Sequence, residues 1–189
     1  DMASILMISE AVAKTISYSG INIESQANRA AAAIIGAMRA QGNLTEANLK
    51  SVLALFVSNV TGVWQVEGMR ILVKAFFAQV NLGDAAEIQT MVNAFSDVSV
   101  YDLTNDSINL GNFIDAAVRA GIPIQTIVDS LRQVPGMDLN MLAAETMRIA
   151  RMEDMEALMQ IFVGEGRLTL ALFAFHVAVQ KFTHGWQAG

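Results

Sequence analysis

The hydrophobic residues of this chain occur in helix-length segments, and this arrangement restricts the fold more than any other feature. They make up 53% of the 189 residues, whereas Asp, Glu, Lys and Arg make up 16%. Glycine, asparagine and aspartate interrupt them, and the longest uncharged stretches are residues 51–66 and 168–180. Both stretches are shorter than the ~20 apolar residues that a spanning helix needs. We therefore predict a buried core and no transmembrane span.

Apolar residues recur at steps of three and four, which is the periodicity of amphipathic helices. The clearest case is residues 46–60, and glycines such as Gly42 and Gly121 follow the predicted helix ends. The predicted helices are residues 5–18, 24–41, 46–60, 63–80, 84–95, 107–120, 123–133, 139–163 (continuous, or bent near Met152) and 167–183. We predict an all-α fold, a single compact bundle of about eight to ten helices over residues 1–189. The loop at 96–106 is the only candidate subdivision.

Two of these helices carry apolar residues on more than one face. In residues 63–80, Ile71 and Phe77 lie away from the face that contains Leu72 and Phe76, so we expect burial on several sides. Residues 167–183 alternate between apolar and other residues in part, which is typical of a strand. Because the chain has no other convincing strand, we predict that this segment is a buried central helix.

The charge distribution excludes several classes of partner. The net charge is −6, and twelve Lys and Arg are spread from Lys14 to Lys181 without a basic cluster. Phosphate polymers and anionic membrane surfaces both require such clusters, so we expect no nucleic-acid partner. There is no cysteine, which excludes disulfides and thiolate metal sites. Residues 1–4 do not begin a secretory signal, and the sequence gives no localisation.

The sequence contains no motif typical of catalysis, of phosphate binding or of a metal site. His176 lies between apolar neighbours, which favours a hydrogen-bonded histidine in the core over a ligand or a base. Asp102, Thr104 and Asp106 have the spacing that opens a calcium loop, but Ser107 stands where that loop needs glycine. We therefore expect no catalytic residue, no metal and no cofactor, and we predict that the protein is not an enzyme.

Methionine is concentrated in one segment, since six of the eleven lie within residues 137–159. Its flexible thioether side chain fills irregular gaps and is common on surfaces that repack against partners. On a continuous helix, Met152, Met155 and Met159 would share one face. Core and interface roles are equally compatible with this pattern. The candidate interface residues are Met141, Met152, Met155 and Met159.

The surplus of apolar residues predicts a non-enzymatic structural module that associates through apolar helix faces. Subunits of capsids, filaments, silks and scaffolds all fit, with copies of the chain or other subunits as partners. One alternative is a helical carrier that holds an apolar or lipid ligand in an internal cavity. The candidate cavity residues are Phe76, Phe77, Phe173 and Phe175. A second alternative is a membrane-inserting pore-former that stores residues 167–183 inside a helical bundle.

One short segment bears on these alternatives. Residues 42–49, with the sequence GNLTEANL, resemble the loop-to-helix element in the globular helical domains of spider silk proteins. The similarity covers about eight residues and consists mostly of helix-capping chemistry. The modest serine content of the chain departs from that of silk domains. The resemblance implies an assembling helical domain, which agrees with the structural interpretation.

Overall fold

Helices account for the secondary structure of the computed structural model, which describes residues 1–18, 23–58, 65–98 and 101–183. The ten α-helices are α1 (Met2–Tyr18), α2 (Ile23–Ala40), α3 (Glu46–Val57), α4 (Gln65–Phe77), α5 (Ala85–Ser96), α6 (Ser107–Arg119), α7 (Ile124–Leu131), α8 (Leu139–Ile149), α9 (Met155–Gly164) and α10 (Leu168–Thr183). No strand occurs within the described ranges. The prediction of an all-α bundle of eight to ten helices is confirmed.

The helices form two rows, because most of them pack extensively on the helix two places along the chain. One row contains α2, α4, α6, α8 and α10, and the other contains α1, α3, α5, α7 and α9. Contacts such as α1 with α2 and α9 with α10 join the rows. The stack therefore has two ends, one formed by α1 and α2 and the other by α9 and α10.

Short polar side chains cap several helix starts. Asp84, Asp106 and Asp138 each accept two backbone N–H bonds, at 2.8 to 3.2 Å, at the starts of α5, α6 and α8. Such caps satisfy N–H groups that have no partner inside the helix. Gly42 and Gly121 have φ values of 64° and 100°, which place them in the left-handed region after α2 and α6.

A cluster of phenylalanines lies at the centre of the core. Phe95 of α5 is fully buried, and its ring centroid lies 6.3 Å from that of Phe76, 5.9 Å from that of Phe77 and 5.8 Å from that of Phe113. These rings tie α4, α5 and α6 together. Because Phe76 and Phe77 are adjacent and both fully buried, α4 is buried on more than one side, which confirms the expectation for this segment.

The segment at 139–163 contains two helices and not one. Ala150 leaves the helical conformation with φ −55° and ψ 147°, and Met152–Asp154 forms a separate 3-10 turn before α9. Met152 is therefore not on the same α-helix as Met155 and Met159. The prediction of a single methionine face required a continuous helix and is wrong for Met152.

The prediction that residues 167–183 form a buried central helix is also wrong, because the helix does not lie at the centre. α10 is a helix, but it ends one row, and its extensive contacts are with α8 and α9. Leu170 and Ala174 are buried on the inner side of α10. Large apolar residues on its other side are exposed. A helix with apolar residues on several faces has a central position only when several neighbours surround it. Within the described residues, the extensive contacts of α10 are with α8 and α9.

The hydroxyl of Thr146 in α8 is fully buried and has no hydrogen-bond partner within the described part of the chain. A buried polar group without a partner loses its hydration without compensation. We expect Thr146→Val, which keeps the shape and removes the hydroxyl, to raise the free energy of unfolding by about 1 kcal/mol. Urea denaturation of the two proteins measures this change, and a loss of stability in the variant would contradict it.

Candidate interaction surface

The outer side of α10 presents the largest group of exposed apolar side chains on one described helix. Leu172, Phe175, Val179 and Phe182 are exposed by 58%, 58%, 40% and 39%. Their spacing of three, four and three residues places them on one side of the helix. We call these four residues the α10 stripe. Phe173, which is 39% exposed, lies on another side of the helix, about 100° around from Leu172.

The α10 stripe carries no charge. α10 contains no Asp or Glu, and its titratable side chains are those of His176 and Lys181. The largest apolar patch on a typical monomer covers roughly 300–600 Å² and is often functional. The spacing of the stripe is also that of the seam between two paired helices, in which apolar residues alternate at steps of three and four. The stripe therefore has the chemistry of a helix-packing surface.

Lys181 fixes the orientation of the stripe by joining α10 to the end of α8. Its Nζ donates to the carbonyl oxygens of Ala150 and Met147, the latter at 3.3 Å. Carbonyl groups at the end of a helix lack partners inside that helix, so an ammonium group is a favourable donor there. With Lys181, Leu170 and Ala174 directed inward, the stripe on the other side remains in solvent.

Partial burial of Lys181 makes the free energy of unfolding depend on pH. Burial, and to a smaller extent the positive charge of Arg148, lower the pKa of Lys181 below its usual value of 10.5. Just below pH 10.5 the unfolded chain then binds more protons than the folded chain, so this group makes the free energy of unfolding rise with pH. Lys181→Met removes that contribution. In urea titrations just below pH 10.5, we expect the free energy of unfolding to rise more steeply with pH, or to fall less steeply, for the native chain than for the variant. Parallel curves would contradict the assignment.

The structure does not bring the four candidate methionines into one exposed face. Met141, Met155 and Met159 are partly buried and pack against the core, whereas Met152, in the 3-10 turn, is 63% exposed. Three of the four therefore contribute to packing, and the exposed apolar surface lies mainly on α10. Sequence reasoning missed the stripe because it assigned α10 to the interior. The spacing of Leu172, Phe175, Val179 and Phe182 is the signal that could have indicated it.

The four phenylalanines of the candidate cavity are also separated. Phe76 and Phe77 are fully buried in α4 among other aromatic rings, whereas Phe173 and Phe175 are exposed on α10. One open pocket of about 300 Å³ lies elsewhere, and it includes the ion pair of Arg39 with Glu87. Its lining is Arg39, Gly42, Leu44, Asp84, Ala86, Glu87 and Thr90, and this mixture of polar and charged groups does not suit an apolar ligand.

The histidines and the carboxylates at 102–106 do not form a catalytic or metal site in the described residues. His176 is exposed, so the prediction that it lies in the core is wrong, while His184 lies outside the described residues. The Asp102 carboxylate accepts hydrogen bonds from Thr104 and Asn105, and Asp106 caps α6. Within the described ranges no three His, Asp or Glu side chains are grouped to hold a metal ion.

A search of the described helices for a membrane span finds none with the required length and hydrophobicity. Comparison with protein families, with curated proteins and with solved structures finds no match to this chain.

Proposed function

We propose that this chain is a non-enzymatic structural module that associates with other copies of itself through the α10 stripe. The observation that carries the proposal is the exposure of Leu172, Phe175, Val179 and Phe182 on one side of a helix. Removing these side chains from water would stabilise an assembly by roughly 25 cal/mol per Å² of apolar surface. The net charge of −6 would keep separate copies soluble before they associate.

The packing of the rest of the chain agrees with a structural role. The described core is filled by large side chains, including Phe76, Phe77, Phe95 and Phe113, and these pack on one another. Eleven ion pairs join surface residues in the described part. They include the contact of Arg132 with Glu165 at 2.6 Å, which joins the ends of α7 and α9. A well-packed core together with the exposed α10 stripe is what we expect of a subunit that assembles with other copies.

Light-scattering mass after size-exclusion chromatography tests the proposal. The chain has a mass of 20.4 kDa, and over a hundredfold range of concentration we expect the measured mass to rise above this value. Dilution should reverse the rise, because association through a modest apolar surface is an equilibrium. A mass of 20.4 kDa at every concentration would contradict self-association.

A further inference from the structure

The contacts that hold α9 and α10 to the other helices differ from those elsewhere in the two rows. Within the described residues, the contact of α9 with α7 is the weakest between neighbours in either row, whereas α9 and α10 pack well on each other. We propose that α9 and α10 open together as one unit while α1 to α8 stay folded. Because the α10 stripe lies on this unit, the opening removes that surface from the folded body.

Few large side chains of this unit are buried. Leu158 and Phe162 are the buried residues of α9, and Leu170 and Ala174 are buried in α10. By contrast, α2 at the opposite end of the stack has six buried residues. Hydrophobic stabilisation grows with the apolar area that is removed from water. The end formed by α9 and α10 is therefore held more weakly than the end formed by α1 and α2.

The extensive contact of α10 with α8 is made largely by small side chains. Ala174 is buried in this contact, and Ala171 and Ala178 are partly buried. Alanines let two helices approach closely, but each one removes little apolar surface from water. The contact is therefore close without contributing the stability that large buried side chains would give.

Polar contacts complete the attachment of the unit. Arg132, at the end of α7, donates to the carboxylate of Glu165, at the end of α9, at 2.6 Å. Gln125 of α7 donates to Asp154, which precedes α9, at 3.0 Å. Lys181 joins α10 to the end of α8. Partly exposed ion pairs contribute little free energy each, so these contacts orient α9 and α10 more than they stabilise them.

The boundary of the unit lies between Ala150 and Asp154. The chain leaves the helical conformation at Ala150, and the 3-10 turn Met152–Asp154 separates α8 from α9. The helical hydrogen bonds of α8 therefore need not break when α9 opens. Proteins commonly unfold locally in contiguous units of this kind, at a lower free energy than the whole molecule.

Native-state hydrogen exchange in low concentrations of urea, followed by mass spectrometry, tests the proposal. We expect the amides of residues 155–183 to be protected at least about tenfold less than those of α5, with a smaller dependence on urea, because a partial opening exposes less surface. Equal protection and equal urea dependence would show one cooperative unit and overturn the proposal. Separate openings of α9 and α10 would also overturn it.

The measurement is made below the concentration at which copies associate, so its result does not depend on the proposed self-association. A chain that is monomeric at every concentration would contradict self-association, and the comparison of residues 155–183 with α5 would still decide whether α9 and α10 open as a unit.

Two carboxylate-to-amide variants locate the opening. Glu165→Gln removes the ion pair with Arg132, and Asp115→Asn removes the ion pair with Arg70, which joins α4 and α6 in the middle of the stack at 2.9 Å. The two carboxylate side chains are similarly exposed, by 22% and 27%.

We expect Asp115→Asn to accelerate exchange in α5 by about threefold and to leave residues 155–183 unchanged, because the partial opening keeps the Arg70 pair intact. Glu165→Gln should accelerate exchange in both regions, because either opening breaks the pair that it removes. Acceleration of residues 155–183 by Asp115→Asn would show that they unfold together with the other helices, and it would overturn the proposal.

Discussion

We expect Val179→Glu to weaken self-association at least about a hundredfold, which corresponds to about 2.7 kcal/mol. Val179 lies in the middle of the α10 stripe and is 40% exposed, so a glutamate at this position remains hydrated in the free subunit. In an assembly the carboxylate would be buried without a partner, which is strongly unfavourable. Sedimentation velocity across a concentration series measures the change in the association constant.

Gln180→Glu is the matched control for this variant. Gln180 is the next residue on α10, is exposed and lies away from the α10 stripe, and the substitution adds the same charge to the same helix. We expect its association constant to stay within about threefold of the native value, because its carboxylate would remain at the solvated rim of the contact. Equal weakening by both variants would indicate that net charge, and not burial of the stripe, controls association.

We expect Phe95→Ala to lower the free energy of unfolding by about 3–5 kcal/mol. Phe95 is fully buried and packs against Phe76, Phe77 and Phe113, so its removal leaves a cavity between α4, α5 and α6. Since domains of this kind are stable by about 5–15 kcal/mol, the loss is a large fraction of the total. Chemical denaturation at a concentration below association measures it.

Phe175→Ala makes the same chemical change on the surface. Phe175 belongs to the α10 stripe and is 58% exposed, so the folded monomer buries much less of its ring. We expect its free energy of unfolding to change by no more than about 1 kcal/mol, while its association weakens. Similar losses of stability in the two variants would contradict the distinction between a core ring and an interface ring.

Local chemistry predicts most of the helix boundaries. Asp84 and Asp106 precede the helices that they cap, and Gly42 and Gly121 follow the helices that they end. These effects act over a few residues, so they are readable from sequence alone. The break at Ala150 carries no glycine or proline, so the sequence predicts the position of the bend only approximately.

The candidate surface depends on which helices are neighbours, and sequence periodicity does not contain that information. α4 and α10 both carry phenylalanines on more than one side. α4 packs on α2, α5 and α6, whereas α10 packs on α8 and α9. Phe77 is consequently buried and Phe175 exposed, although both lie in apolar helices.

Hydroxyl-radical footprinting of the native chain at low and high concentration tests most directly whether the α10 stripe is the surface buried on association. The structure predicts that Leu172, Phe175 and Phe182 are oxidised in the dilute sample and protected in the concentrated one. Leu82 and Ile108 are exposed by 58% and 67% away from α10 and should be oxidised equally in both samples. Unchanged oxidation of the stripe while the mass rises would contradict the proposed interface.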